Sequence, residues 1–182
     1  QIRSSAASDV YKRQILLFLI SGIFVVKQQT SAIIERFGKF IAIRRPGLHF
    51  KIPIIDKIAG RVSLRILQLD VIVETKTKDD VFVKIKVSVQ YKVIKDKVYD
   101  AFYKLDFPQD QITSYVFDVV RAEVPKMILD DVFEKKDDVA VAVKAELNDA
   151  MLNYGFDIIK TLVTDIDPCL LYTSDAADDR IC

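Results

Sequence analysis

Three patterns succeed one another along the chain: an uncharged apolar run, alternating positions and helical spacing. Each predicts a different element. Residues 15–26 read Ile-Leu-Leu-Phe-Leu-Ile-Ser-Gly-Ile-Phe-Val-Val and carry no charge. A helix that spans a bilayer needs about 20 apolar residues, so this run reads as a membrane anchor cut short on its N-terminal side. The anchor residues are Ile15, Leu16, Leu17, Phe18, Leu19, Ile20, Ile23, Phe24, Val25 and Val26, with Lys27, Gln28, Gln29 and Thr30 as an interfacial exit. A buried core strand is the alternative reading, because the run is rich in aromatic and β-branched residues.

Two short strand-like runs then flank Gly38-Lys39, which predicts a hairpin. Arg45-Pro46-Gly47-Leu48 predicts a type II turn, with Pro fixing one φ and Gly accepting a positive one. Beyond it, Leu48, Phe50, Ile52 and Ile54 alternate with His49, Lys51 and Pro53 as an extended segment. Leu48, Phe50, Ile52, Ile54 and Ile55 are candidates for dipping into a membrane interface beside Lys51 and Lys57. They read equally as core strand residues.

The strongest pattern lies at 67–93. Leu67, Leu69, Val71 and Val73 share one face of a strand, and Val81, Val83, Ile85, Val87, Val89, Tyr91 and Val93 share one face of the next. A three-residue turn at Lys78-Asp79-Asp80 sets Val73 across from Ile85, Val71 from Val87 and Glu74 from Lys84. A slip of one residue would oppose apolar and charged faces, so the register is well specified. The lysine row opposite the apolar face then reads as a solvated sheet surface.

From residue 95 the period becomes helical. Asp106-Phe107-Pro108 predicts a helix start with Asp106 as cap, followed by a stripe of Ile112, Tyr115, Val116, Val119 and Ala122. A later helix follows Asp137-Asp138, with Val139, Val143, Leu147, Ala150, Met151 and Tyr154 on one face and Gly155 as its stop. Residues 156–167 return to strand composition. The fold class is therefore α+β: an antiparallel, strand-rich first half, then helices and a returning strand.

The two ends change the usable window. Segment 4–14 (SSAASDVYKRQ) and segment 169–179 (CLLYTSDAADD) correspond to the two strands of one DNA string. That string looks like a widely used transposase sequencing adaptor. Residues 1–14 and 169–182 are accordingly expected to be scars, leaving an anchor at 15–26 and one domain at 27–168. Both cysteines, Cys169 and Cys182, fall in the excluded part, so no disulfide or thiolate-metal chemistry is expected.

Composition narrows the function classes further. The chain has 27 Lys and Arg against 26 Asp and Glu, a net charge of +1, and dedicated nucleic-acid binders are usually strongly basic. No Walker loop, GxGxxG, GxSxG or HExxH motif is present. His49 is the only histidine. Asp130-Asp131 and Asp137-Asp138 are poor metal ligands, because adjacent carboxylates on a helix point apart. The 137–138 pair reads as an N-cap that favours the helix dipole, and Asp79-Asp80 as turn chemistry. Tyr and Phe are expected on apolar faces. No enzyme activity, cofactor or metal is expected.

The order of these parts is itself distinctive. An apolar segment leads to Ile34-Glu-Arg-Phe-Gly-Lys-Phe40 and Arg45-Pro-Gly-Leu-His-Phe-Lys-Ile-Pro-Ile-Ile-Asp56. Thr75-Lys-Thr-Lys-Asp-Asp-Val81, Leu129-Asp-Asp-Val-Phe-Glu-Lys-Lys-Asp-Asp138, Tyr154-Gly-Phe-Asp-Ile158 and Thr164-Asp-Ile-Asp-Pro168 follow. Over 24–168 the chain resembles an SPFH (band-7) domain of the stomatin/prohibitin superfamily, in particular bacterial stomatin-like and hypersensitive-induced-response-like members. The resemblance implies a non-enzymatic, membrane-anchored scaffold, with a bacterial inner membrane as the expected location. Such proteins form homo-oligomers on membrane lipid, organise membrane proteins or lipid microdomains, and take a membrane protease or channel as partner. Regulation of a membrane-bound protease is the alternative function. The family's long Ala/Glu-rich assembly helix would follow Pro168.

Overall fold

The computed structural model describes residues 12–14, 17 and 20–169, which form two compact units meeting between Arg65 and Ile66. The first unit is built from five strands. β1 (Ile23–Val26) pairs antiparallel with β4 (Gly47–Phe50) as a two-stranded ribbon. β2 (Thr30–Arg36), β3 (Lys39–Arg44) and β5 (Asp56–Ser63) form a sheet in the order β3-β2-β5. Ala32, Ile33 and Ile34 of the central strand are its buried centre.

The expected hairpin at Gly38-Lys39 sits one residue earlier. Arg36 pairs with Lys39, so Phe37 and Gly38 make the turn with φ of +50° and +77°. Positive φ at both central positions marks a type I′ turn, which matches the right-handed twist of the strands. Gly47 takes a positive φ of +138°, but that is the opening of β4 and not the type II position. The extended reading beyond Leu48 holds only to Phe50, and residues 51–55 form a loop. β5 had no clear signature, because Lys57, Gly60 and Arg61 interrupt its apolar positions.

The second unit holds the sheet β6-β7-β8, with β6 (Leu67–Lys76), β7 (Phe82–Val93) and β8 (Phe156–Cys169). The predicted register is observed: Val73 faces Ile85, Val71 faces Val87 and Glu74 faces Lys84. Val71, Val73, Val83, Ile85, Val87, Val89 and Tyr91 are buried on one side. Four helices follow β7: α1 (Val98–Tyr103), α2 (Pro108–Glu123), α3 (Leu129–Glu134) and α4 (Lys136–Leu152). α4 lies against β8, and α2 against α4 and β6.

Helix details depart from the pattern-based reading at the starts. Phe107, not Asp106, precedes α2 as its N-cap, and no side chain caps it. Pro108 in the first turn accounts for this start, since its missing N–H needs no partner. The α2 stripe is Ile112, Val116 and Val120, a cleaner four-residue spacing than the one expected, and Ala122 is exposed. α4 buries Val139, Ala140, Val143, Leu147 and Met151, with Asp137 and Asp138 in its first turn. Those carboxylates favour the helix dipole without capping it.

Gly155 does more than end a helix. Its φ is +84°, and a Cβ there would sit 2.6 Å from the Lys97 carbonyl oxygen. Lys97 in turn donates from Nζ at 3.1 Å to the Leu152 carbonyl at the end of α4, which also accepts from Gly155 N–H at 3.2 Å.

Candidate membrane-facing site

The ribbon of the first unit sorts its side chains by the two-residue period of a strand. Ile23 lies opposite Phe50 and Val25 opposite Leu48, so these four residues share one face, and all four are exposed. The other face carries Phe24 and His49, whose rings lie 5.8 Å apart. His49 Nε2 donates to the Arg45 carbonyl at 2.7 Å, which ties the ring to its own turn. Gly22 makes the close approach of the ribbon to the next loop feasible. Its carbonyl accepts from Lys51 N–H at 2.8 Å, and a Cβ on it would sit 2.6 Å from the Lys51 carbonyl oxygen.

Loop 51–55 is clamped at its base. Asp56 N–H donates to the Ile52 carbonyl at 2.9 Å, and Ile52 N–H donates back to Asp56 Oδ2 at 3.0 Å. Arg36 grips the same carboxylate through Nε at 2.7 Å and Nη2 at 3.3 Å, the paired geometry of a strong charge-assisted contact. The Arg36 hydrogen bonds and the Ile52 amide hold the Asp56 carboxyl below the usual carboxylate range. The clamp supports Ile54, whose φ is +79°, a conformation that is an outlier for a β-branched residue.

The sequence-predicted site residues fall into three groups. Ile15, Leu16, Phe18 and Leu19 lie outside the described residues. Leu17 and Ile20 are helical and exposed. Ile23, Phe24, Val25 and Val26, assigned to the anchor on hydropathy, are instead strand β1. Pairing with β4 takes up the backbone groups along one edge of the strand and suits the β-branched side chains of Ile23, Val25 and Val26. Among the described residues no helix is long and apolar enough to cross a membrane.

Of the interface candidates, Leu48, Phe50, Ile52 and Ile54 are exposed and Ile55 is half-buried. The core-strand alternative for them is therefore not what forms. Sequence reasoning missed Phe37, which is exposed at the β2–β3 turn although aromatics were expected on apolar faces. It also missed a charge division that counting alone would have found. Residues 15–65 carry nine Lys and Arg against Glu35 and Asp56, an excess of seven, while residues 66–168 carry 14 against 20.

The second unit uses its charges differently. Lys84 meets Glu74 at 3.2 Å, Lys86 meets Asp70 at 3.2 Å and Lys92 meets Asp157 at 3.3 Å across the outer sheet face. Ser88 and Gln68 hydrogen bonds, then Lys86, lower the Asp70 carboxyl from 3.8 to about 2. Among the described residues no three His, Cys, Asp or Glu side chains gather as a metal site.

The described residues thus form a two-stranded ribbon and a small sheet, followed by a longer sheet faced with helices. The SPFH domain / Band 7 family model matches residues 24–178, and the chain belongs to that family. The match continues past residue 168, where the adaptor reading puts the domain's end. The chain is 49% identical over 144 residues to hypersensitive-induced response protein 4 of Arabidopsis thaliana, covering 79% of this chain and 49% of that protein. It is 32% identical over 142 residues to a stomatin-like protein of Caenorhabditis elegans, covering 78% and 43%. A stomatin homologue of Pyrococcus horikoshii is 31% identical over 155 residues, covering 84% and 57%. The chain thus spans about half the length of the curated relatives it matches.

Proposed function

We propose that this chain is the bilayer-apposed platform of a non-enzymatic scaffold. The whole protein would oligomerise on the membrane and organise membrane proteins, a protease or channel among them, or lipid microdomains. Stomatin-like and hypersensitive-induced-response proteins are membrane-associated scaffolds in general, which supports the class. The observation that carries the reading for this chain is the exposed face of Ile23, Val25, Leu48 and Phe50 on the β1–β4 ribbon. A contiguous apolar face on a soluble surface marks a contact site. Here it lies within residues 15–65, which carry seven excess positive charges, and this favours a lipid surface over solvent.

Vesicle flotation of the chain tests this. The chain should float with vesicles of mixed neutral and anionic lipid. The Val25→Ser, Leu48→Ser double variant should bind at least about tenfold more weakly, since each apolar side chain left in water forfeits about 1.5 kcal/mol or more. Failure to float with any vesicle would overturn the reading. Sedimentation of the vesicle-bound protein reads the oligomer: a bound monomer would remove the scaffold part and leave the membrane part.

A further inference from the structure

The two most exposed large apolar side chains among the described residues are Ile54, at 94%, and Phe37, at 87%. Both also hold left-handed backbone, with φ of +79° and +50°. Residues of this kind disfavour that conformation, and backbone strain of this sort gathers at functional sites. Solvent exposure of an Ile and a Phe on turns with left-handed backbone is unfavourable twice over, and neither side chain is buried in the fold that carries it.

The two turns also leave the sheet at one end. Arg36, the last residue of β2, pairs with Lys39 on one side and with Asp56 on the other. Phe37 follows Arg36 directly, and Ile54 precedes Asp56 by two residues. The Arg36–Asp56 contact therefore ties the bases of both turns together. Three lysines flank the tips: Lys39 after the first, and Lys51 and Lys57 on either side of the second. Lysine is suited to this place, because its stem can lie along apolar surface while its ammonium reaches an anionic headgroup.

We propose that Phe37 and Ile54 are a pair of wedge residues that enter the surface of an anionic bilayer, with Lys39, Lys51 and Lys57 meeting lipid phosphates. This rests on the membrane reading above and adds to it the lipid class and a second point of entry, distinct from the ribbon face. Charge complementarity selects the occupant: the tips sit in a stretch with seven excess positive charges, which a neutral surface or a basic partner would leave unmatched.

The test is flotation of the full chain with phosphatidylcholine vesicles and with vesicles containing roughly one third phosphatidylglycerol. Each ammonium near an anionic surface contributes about 1 kcal/mol, so three should give at least about tenfold preference for the anionic vesicles. The preference should collapse in high salt, where screening shortens to about 3 Å at 1 M. Replacing Lys39, Lys51 and Lys57 together by Gln should abolish the preference and leave neutral-vesicle binding unchanged.

The decisive variant is Phe37→Asn with Ile54→Gly. Both replacements suit left-handed φ, so the thermal midpoint should rise while anionic-vesicle binding falls about tenfold for the two lost apolar insertions. Weaker binding in a more stable protein cannot come from unfolding. Equal binding of the unaltered chain to both vesicle types would overturn the inference and leave the membrane reading standing; binding to neither would overturn both. Unaltered anionic binding by the tip variant would also overturn it. So would a tip variant that changes only the oligomeric state, which would assign the tips to a second copy of the chain.

Discussion

On β7, Lys84, Lys86 and Lys92 each have a carboxylate within 3.3 Å on a flanking strand, and the opposite face of the same sheet is sealed under helices. On the β3-β2-β5 sheet, Arg36 grips Asp56, and the surrounding residues 15–65 still hold seven more positive than negative charges. Its turns carry Phe37 and Ile54 into solvent. The β6-β7-β8 sheet pairs its lysines within the chain, and the β3-β2-β5 unit leaves apolar tips exposed and cations in excess. The pairs on β7 add little stability individually, as exposed ion pairs usually do. Their effect is to pair the lysine charge of that face within the chain.

Truncations matched across the two units should separate them most clearly. Leu147→Ala, at a fully buried position of α4, should lose about 3 kcal/mol in urea unfolding, as large-to-small changes in a packed core do. A cost below about 1 kcal/mol would show that the second unit is less tightly packed than its burial implies. Gly155→Ala should follow at about 2 kcal/mol, because positive φ and the Lys97 carbonyl at 2.6 Å both resist a methyl group. On the other side of the comparison, Ile54→Gly should raise stability by about 0.5–1 kcal/mol by relieving left-handed strain. A loss instead would mean that the Ile54 side chain supports its own unit.

A pH series sharpens the contrast from the charged face. Asp70 has its folded pKa lowered from 3.8 to about 2, chiefly by Ser88. A lowered carboxylate pKa adds stability that is complete above the unfolded value near 3.8 and disappears as pH falls through about 2. Ser88→Ala should therefore lower the thermal midpoint modestly at neutral pH, and the gap to the unaltered protein should shrink from pH 4 downward. A gap that stays constant to pH 2 would place the effect of Ser88 elsewhere than in Asp70.

How much of this was legible in the sequence depended on periodicity. The β6–β7 hairpin could be read to the residue, because its alternation runs over many positions and only one register satisfies it. The Ile23–Val26 strand could not, since an uninterrupted apolar run looks the same in a buried helix, a membrane segment and a strand. Its partner β4 was visible, but no local signal links Val25 to Leu48 across more than 20 residues. At the candidate site, Leu48, Phe50, Ile52, Ile54 and Ile55 were singled out from their nearness to apolar sequence, and all but the half-buried Ile55 are exposed. Phe37 was missed because left-handed φ there is imposed by the two-residue turn and not by the residue itself. The charge division between the halves was available to counting, and the near-neutral total concealed it.

Asp79 joins parts of the chain on very different sequence scales. Its carboxylate accepts from the Thr77 hydroxyl within its own turn and from Leu129 N–H at 3.1 Å, fifty residues away, at the first residue of α3. Lys78 N–H donates beside it to the Met127 carbonyl at 2.8 Å. Helix α3 has six residues, too few to persist alone, so it must wait for the hairpin turn to present its cap. The β6–β7 hairpin is therefore expected to close early from local contacts, with α3 condensing onto it after a long loop has closed. Loss of the Asp79 carboxylate should then leave the folding rate nearly unchanged and appear as faster unfolding, the kinetic mark of a contact made after the rate-limiting barrier.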